Sequence, residues 1–472
     1  MRVSSPPRPP PRRPSRPAYT PGRTPSARSR LISPIAAYTS TTSIRRRTSP
    51  PSVNASPRTP DCPSRWSVEA ACTFLAEAGR AQTFGVETVA LEEALGRVLA
   101  EDIVVERAVP PFANSAMDGF ALRGADLPAA GERRLRIVGT HLAGGAGAFA
   151  IGPGECLRLM TGAPLPDGAD TVVIQEHVRV DGDVAIIGAG ERPGANVRPA
   201  GEDFRPGETA LRRGQRLGPA QLGVCASLGH ARIGVVRRPR VVLLTTGDEV
   251  VMPGEATSPA QIHNSNAFSV GALVREAGAA LLSHRHLPDE ADTIRAALLQ
   301  AAGEADLVVS CGGVSAGEAD LLPGLLAEIG TIDFWKVRMK PGMPFLTGRI
   351  GDARLCALPG NPVSTVATFL VLVLPYLEAL QGCATTAAPW LSARLTAPLR
   401  KRHDRTEFLR AHVRAGVDGT LQADLLDRQG SGMLRGVAEA NALVRVEADQ
   451  TELPAGAVVP AMIFALSGTL SR

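Results

Sequence analysis

The chain almost does without lysine: 48 of its 51 basic residues are Arg, leaving only Lys336, Lys340 and Lys401. Aromatic residues are equally scarce at 4%, while 48 Gly and 39 Pro announce many turns and loops. The seven cysteines are odd in number and form no C-x-x-C pair. A disulfide framework and a zinc knuckle are therefore excluded. No H-x-x-x-H spacing occurs among the eight histidines, and the "HRH" at 284 to 286 reads as an exposed strand end, which argues against zinc hydrolysis. The absence of G-x-x-x-x-G-K-[ST] and of G-x-S-x-G removes P-loop and serine-hydrolase readings. The longest apolar run, "VATFLVLVLPY", has 11 residues, against roughly 18 to 20 for a membrane span. It reads as a buried helix in a cytoplasmic protein with no membrane partner.

What is present is an ordinary soluble composition, 44% hydrophobic and 21% charged, long enough at 472 residues for about three domains of roughly 150 residues. The net charge of +5 hides an asymmetry. Residues 1 to 65 hold 13 Arg and one acid, Asp61, so this arm is +12 and the remainder is 5 − 12 = −7. The body thus has no basic surface for specific nucleic-acid binding, and only the arm could associate, weakly, with polyanions. With 15 prolines and no apolar periodicity, residues 1 to 64 are expected to be a disordered Arg/Pro/Ser-rich arm. Its composition resembles a transit peptide, but proline at that density opposes the amphipathic helix such peptides form. A dispensable extension, or a start codon placed too far upstream, is the plainer reading.

Order is expected from "WSVEAACTFLAEA", where Ser67 can cap a helix, followed by a second helix over "LEEALGRVLAEDI". From 111 to about 236 short alternating runs broken by Gly and Pro imply β-rich structure. From 238, apolar runs ("RVVLLTTGDEV", "DLVVSCGG") alternate with amphipathic helices ("NAFSVGALVREAGA", "DEADTIRAALLQAAGEA", "EADLLPGLLAEIG"). Strands apolar on both faces imply a parallel sheet covered on both sides, with ligands beyond the strands' C-terminal ends. Residues 387 to 472 return to short β-type runs, as in a small barrel or sandwich.

Two strand ends share one design. In "TTGDEV", Gly247 precedes Asp248 and Glu249; in "SCGGVSAGEAD", Gly312, Gly313, Ser315 and Gly317 precede Glu318 and Asp320. Small residues let a ligand approach the backbone, and glycine-lined amides favour phosphate. Carboxylates alone would repel it: two unit charges about 4 Å apart repel by about 4 kcal/mol at an effective dielectric of about 20. A hard divalent cation such as Mg²⁺ resolves the conflict. The same acids could instead cap the following helices.

"TIDFWKVRMKPG" reads as a strand, which places Lys336 and Lys340 on one face, just before Pro341. Paired mobile ammonium groups suit phosphate or an inorganic oxyanion. Two solvated lysines on an edge strand would look the same. In "LCALPGNPVSTVATF", Pro359 and Gly360 lead to Asn361, a possible cap, and Pro362, fit for a first helical turn whose N-terminus could face an anion. Ser115, Asp118 and Thr161 lie beside glycine turns, where local side-chain bonds are the usual role.

In order, "PPFANSAMDGFA", "LMTGAPLPDGADTVV", "GANVRPAGEDF", "TTGDEV", "SCGGVSAGEAD", "FWKVRMKPGMPF", "LPGNPVS" and "QGSGMLRGVAEANAL" resemble the molybdopterin molybdenumtransferase family, the insertase of molybdenum-cofactor biosynthesis. The likeness spans about 65 to 470. It implies a multi-domain α/β plus β fold: a discontinuous linker domain at 65 to 110 and 196 to 237, a β-rich domain at 111 to 195, a three-layer α/β molybdopterin-binding domain at 238 to 386, and a C-terminal β-barrel at 387 to 472. It implies a homodimer in which the β-rich domain reaches over the partner's active site. The implied reaction takes molybdate and adenylylated molybdopterin and releases AMP, with Mg²⁺ as cofactor.

The resemblance also assigns roles. Lys336 and Lys340 would hold the anionic substrate or molybdate; Glu249, Asp289 and Asp320 would hold the metal; Asp118, Thr161, Pro359 and Pro362 would belong to the site. Asn264 stands where an aspartate is usual and Met343 where many members carry a third lysine. An upstream adenylyltransferase and downstream molybdoenzymes would be partners. The rival readings are a molybdopterin adenylyltransferase, whose fold resembles the α/β domain alone, and a gephyrin-like scaffold using the same module to bind a partner.

Overall fold

A computed structural model of the chain describes residues 65–82, 84–144, 149–314, 321–384 and 389–464. At its centre is a six-stranded sheet in the spatial order Ala280–Leu287, Arg240–Thr246, Leu307–Cys311, Ala353–Leu358, Leu346–Ile350, Thr331–Trp335. The first four strands are mutually parallel. The sheet is not wholly parallel as expected: Leu346–Ile350 runs against both its neighbours. The cause is local, since Gly351, at φ 57°, and Asp352 form a two-residue turn that only an antiparallel hairpin accommodates.

Alternation along the strands builds three layers. Val241, Leu243, Val309, Cys356 and Leu358 point to one side, against Val270 and Val274 of the helix Asn266–Glu276 and the apolar residues from Phe369 to Leu380. Val242, Leu244, Val308, Leu355 and Ala357 point to the other, against Ile294 and Leu298 of Ala291–Glu304 and Leu322 to Leu326 of Leu322–Ile329. Each fully buried Leu or Val contributes roughly 1.5–3 kcal/mol, so burial on both faces is what makes these strands read as continuous apolar runs. The apolar run becomes part of a 19-residue helix, Pro362–Leu380, with 94% of its most apolar window buried in the protein. It is long and apolar enough to span a membrane by length alone, yet here it is a core helix. The helix Val68–Arg80, capped by Ser67 Oγ accepting from the Ala70 N–H at 3.1 Å, joins the same core.

The expected helix over "LEEALGRVLAEDI" is only a 3₁₀ turn, Leu91–Glu93. Gly96 turns left-handed at φ 73° and stops it, after which Val98 and Leu99 make single β-bridges to Arg216 and Val235. Strands from Gly119–Leu122 to Val184–Gly188 form a second six-stranded sheet. Near the C-terminus Trp390–Leu395, Thr406–Ala415, Leu421–Leu425, Ala442–Val446 and Val458–Ile463 close into a five-stranded barrel, since Thr406–Ala415 pairs with both Leu421–Leu425 and Ala442–Val446. Its interior is a separate apolar cluster around Ala411, Val413, Val444 and Ala461.

Candidate active site

Three parallel strands stop at Thr246, Cys311 and Leu358, and the loops that follow touch one another. A Cβ on Gly312 would stand 2.8 Å from Thr246 Oγ1, one on Gly247 2.7 Å from Glu249 Oε2, and one on Gly360 3.7 Å from Gly312 Cα. Gly247 and Gly312 also take φ of +134° and +102°, which side chains rarely adopt. Glycine is thus required for conformation and for space. The loops wall a cavity of about 750 Å³ lined by Glu249, Asp289, Gly312, Gly313, Pro344 and Pro359 to Pro362 among others.

Acids crowd this rim without capping any helix. Glu249 leads directly into Val250–Val251, paired with Ile262–His263. Asp248 Oδ1 accepts the Asp289 N–H at 3.2 Å. Burial first, then the charges of Asp248 and Glu249, hold the Asp289 carboxyl above the usual carboxylate range, with the Thr246 hydroxyl opposing. A hard cation would relieve that repulsion, and carboxylate oxygens suit it. Among the described residues no three metal-type side chains converge into a complete ligand set. Ser315, Gly317, Glu318 and Asp320 lie outside the described residues.

Behind the acids sits a polar network that the sequence did not disclose. Thr245 Oγ1 lies 2.8 Å from Asn264 Nδ2, 2.9 Å from His284 Nε2 and 3.1 Å from His286 Nδ1. A hydroxyl has one proton and two lone pairs, so it satisfies all three contacts by donating to one imidazole and accepting from the other and from Asn264. That count requires the imidazole that accepts to be neutral. Burial first, then the neighbouring His286, accordingly push His284 below the usual imidazole range. The "HRH" segment is therefore not an exposed strand end but a half-buried part of the sheet. Asn264 Oδ1 also accepts the Ala267 N–H at 3.0 Å, so this departure from aspartate is a helix cap whose amide donates inward.

The lysine segment is not one strand. Strand structure ends at Trp335; Lys336 takes a left-handed φ of 71°, and Met339–Lys340 then pairs with the barrel strand Thr406–Ala415. The expectation that both lysines share a face fails because the chain changes sheets between them. Trp66 causes the break by inserting: its N–H donates to the Lys336 carbonyl and its carbonyl accepts from Arg338 N–H, while its ring stacks on Phe334. Lys336 Nζ lies 4.2 Å from the Trp335 ring centroid, and Trp335 Nε1 donates to the Val314 carbonyl at 3.2 Å. Lys336 is thereby tied to the second glycine loop. Lys340 Nζ pairs instead with Glu407 Oε1 at 2.9 Å. Neither lysine lines the cavity, which the segment after Pro341 reaches through Pro344. Met343 Sδ lies 3.9 Å from Arg405 Nη1.

Pro362 occupies the first helical turn as expected, but Asn361 does not cap with its side chain: Nδ2 donates to Ser431 Oγ at 3.3 Å. The Val363 N–H donates to the Ser431 carbonyl at 3.0 Å, so the barrel loop takes an amide expected to face an anion. Arg410, only 1% exposed, holds that loop by donating to the Arg428 and Gly430 carbonyls. Ser431 and Arg410 were not singled out from the sequence, although "QGSGML" marked the loop.

Asp118, Thr161 and Ser115 lie away from this cavity, in or beside the second sheet. Asp118 Oδ1 accepts from Thr161 N–H at 2.7 Å and Oγ1 at 2.8 Å, and these bonds lower the Asp118 pKa. Ser115 Oγ donates to the Met117 carbonyl at 2.5 Å.

A glycine-walled, acid-rimmed cavity at the end of an α/β sheet, closed on one side by a barrel loop, is the pattern of an enzyme that binds a phosphorylated ligand. Three family models match in succession: the MoeA N-terminal region (domains I and II) over residues 66–229, the probable molybdopterin binding domain over 242–379, and the MoeA C-terminal region (domain IV) over 392–464. The molybdopterin molybdenumtransferase of Haemophilus influenzae is 36% identical over 79% of this chain and 92% of its own length. Molybdopterin molybdenumtransferase 2 of Mycobacterium tuberculosis is 36% identical over 78% and 93%. The crystal structure of the molybdopterin biosynthesis moeA protein from Pyrococcus horikoshii superposes with a TM-score of 0.74 at 27% identity, over 85% of this chain and 100% of that one. The chain belongs to the MoeA family of molybdopterin molybdenumtransferases.

Proposed function

We propose that this protein transfers molybdenum from molybdate to adenylylated molybdopterin, releasing AMP. The observation that carries the reading is the cavity itself. At about 750 Å³ it has the size of a nucleotide-like ligand site, and its glycine loops offer backbone while its acids gather without a cationic side chain. The matched regions on both sides of the central domain favour this over the single-domain adenylyltransferase. In this reading Gly247, Asp248, Gly312 and Gly313 cradle the phosphates, and Pro359, Gly360, Asn361 and Pro362 shape the far wall. Glu249 and Asp289 would hold Mg²⁺, with Asp320 as the third ligand that the family resemblance implies. A bound cation would supply charge neutralisation at the pyrophosphate. Lys336 and Lys340 draw in the oxyanion.

Asp118, Thr161 and Ser115 are not among the residues that line their own chain's cavity, and the family resemblance would bring them to the site of a second copy, in a homodimer in which one copy's β-rich domain completes the other's site. The domain limits inferred from the sequence fit that arrangement. A cytoplasmic location fits a chain that exchanges soluble intermediates with an upstream adenylyltransferase and downstream molybdoenzymes. The test is to incubate purified protein with adenylylated molybdopterin, molybdate and Mg²⁺ and follow AMP. Release that needs all three supports the reading; no release, from folded protein, removes it.

A further inference from the structure

Lys340 and Glu407 are register partners in the short parallel pairing of Met339–Lys340 with the barrel strand, so their side chains meet by construction. The two ends of this pair are unlike. The Glu407 side chain is 8% exposed and that of Lys340 44%, so the ammonium can reach a solute while the carboxylate cannot leave. The carboxylate's other oxygen, Oε2, faces His403 Nε2 at 3.3 Å. We propose that Glu407 is an internal stand-in for the oxyanion, holding Lys340 until an oxyanion draws it away, whereupon His403 takes up a solvent proton and becomes the counter-ion. The proposal rests on the reading of Lys340 as an oxyanion ligand.

A buried carboxylate left without a partner is strongly disfavoured, so release of Lys340 requires a second cation. The other charges nearby are already committed. Lys401, 5% exposed, donates to the carbonyls of Arg405, Glu447 and Ala448. Asp404 pairs with Arg338 at 2.7 Å and Glu447 with Arg445 at 2.8 Å. Lys401 feels the Glu407 charge first and then that of Asp449, but its ammonium protons are spent on carbonyls, so it gives Glu407 no hydrogen bond; Arg405 lies against Met343. His403 alone can gain charge near neutrality. Burial first holds it below the usual imidazole range; Glu407 opposes this, while Lys340 and Arg405 reinforce it. Withdrawing the Lys340 ammonium therefore favours the proton on His403. By reciprocity that proton favours withdrawal of Lys340.

The experiment is calorimetric titration of molybdate into the full chain, in buffers of different ionisation heat. Wild type is expected to take up part of a proton per molybdate and to bind up to about tenfold tighter at about pH 6.5 than at about pH 8.5, one unit of pKa linkage. His403→Gln should still bind but lose the uptake and the pH dependence. Glu407→Gln should bind tighter at the higher pH, because Lys340 is no longer held; a merely structural Glu407 would give weaker binding instead. In a second measurement that needs no oxyanion, the His403 imidazole followed by NMR should titrate higher in Lys340→Ala than in wild type. No molybdate binding, binding without proton uptake, uptake unchanged in His403→Gln, or an unmoved His403 titration overturns the proposal. AMP release is read separately: protein that turns over without proton uptake loses this inference alone, and protein that takes up the proton but never releases AMP loses the functional reading.

Discussion

The rim of the central sheet and the wall of the barrel handle charge in opposite ways. In the barrel, Glu407, Lys401 and Arg410 are all buried, and each meets an opposite charge or a set of carbonyls. At the rim, Asp248, Glu249 and Asp289 gather with no ion pair to a cationic side chain among the described residues, and burial first, then the charges of Asp248 and Glu249, raise the Asp289 pKa. Charges satisfied by carbonyls, as at Lys401 and Arg410, serve the fold; charges left facing one another around a cavity are held for a ligand. The difference points to where the chemistry lies more directly than residue type does, since both regions contain the same kinds of side chain.

The contrast is broken most easily at Asp289. Asp289→Asn should slow AMP release by about 10²- to 10³-fold, the usual cost of one electrostatic stabiliser. It should leave unfolding stability unchanged or improved, because a like-charge contact is relieved. Turnover within about twofold of wild type would mean that the rim acids are not used. Arg410→Ala probes the other region and should act on stability first. Losing a buried cation's bonds to the Arg428 and Gly430 carbonyls should cost about 3 kcal/mol in urea unfolding and loosen the loop at Ser431. A change below about 0.5 kcal/mol would show that the barrel does not depend on it.

Smaller effects sharpen the boundary between the regions. Gly312→Ala places a Cβ 2.8 Å from Thr246 Oγ1 at a φ of +102°, and should cost about 1–3 kcal/mol in thermal unfolding by forcing apart the two loops that meet there. The smallest effect is the pH dependence carried by His284, whose pKa is depressed in the fold. Between the folded and unfolded pKa values the unfolded chain binds more protons, so stability rises with pH through that window and is lost as pH falls through the folded value. Urea unfolding at about pH 5 and about pH 8 should show this slope in wild type and a shallower one in His284→Gln; equal slopes would remove the Thr245 network from the pH response.

Much of the central domain was legible from pattern. Strands apolar on both faces, helices with one apolar stripe, Ser67 as a cap and Pro362 in a first turn all follow from spacing and local chemistry. That Gly247, Glu249, Gly312 and Gly313 would share one crevice was legible because strand ends in such sheets face a common opening. The lysine face was not. A separation of four residues places side chains together only if the strand continues, and here Trp66, 270 positions before Lys336, enters the gap and turns the chain into another sheet. Likewise Asn361 has the makings of a cap, but Ser431 of the barrel competes for its amide.

The sequence by itself determined the alternation that makes three layers, the glycines that let three loops approach one another, and the acids that follow them, because each depends on neighbours a few residues away. The pairing of Lys340 with Glu407, the Thr245 hydroxyl shared among Asn264, His284 and His286, and the grip of Arg410 on the loop at Ser431 were decided only by the tertiary structure. Those contacts join segments well separated in the chain that become neighbours only when strands pair and loops pack, and no local periodicity encodes such a partner.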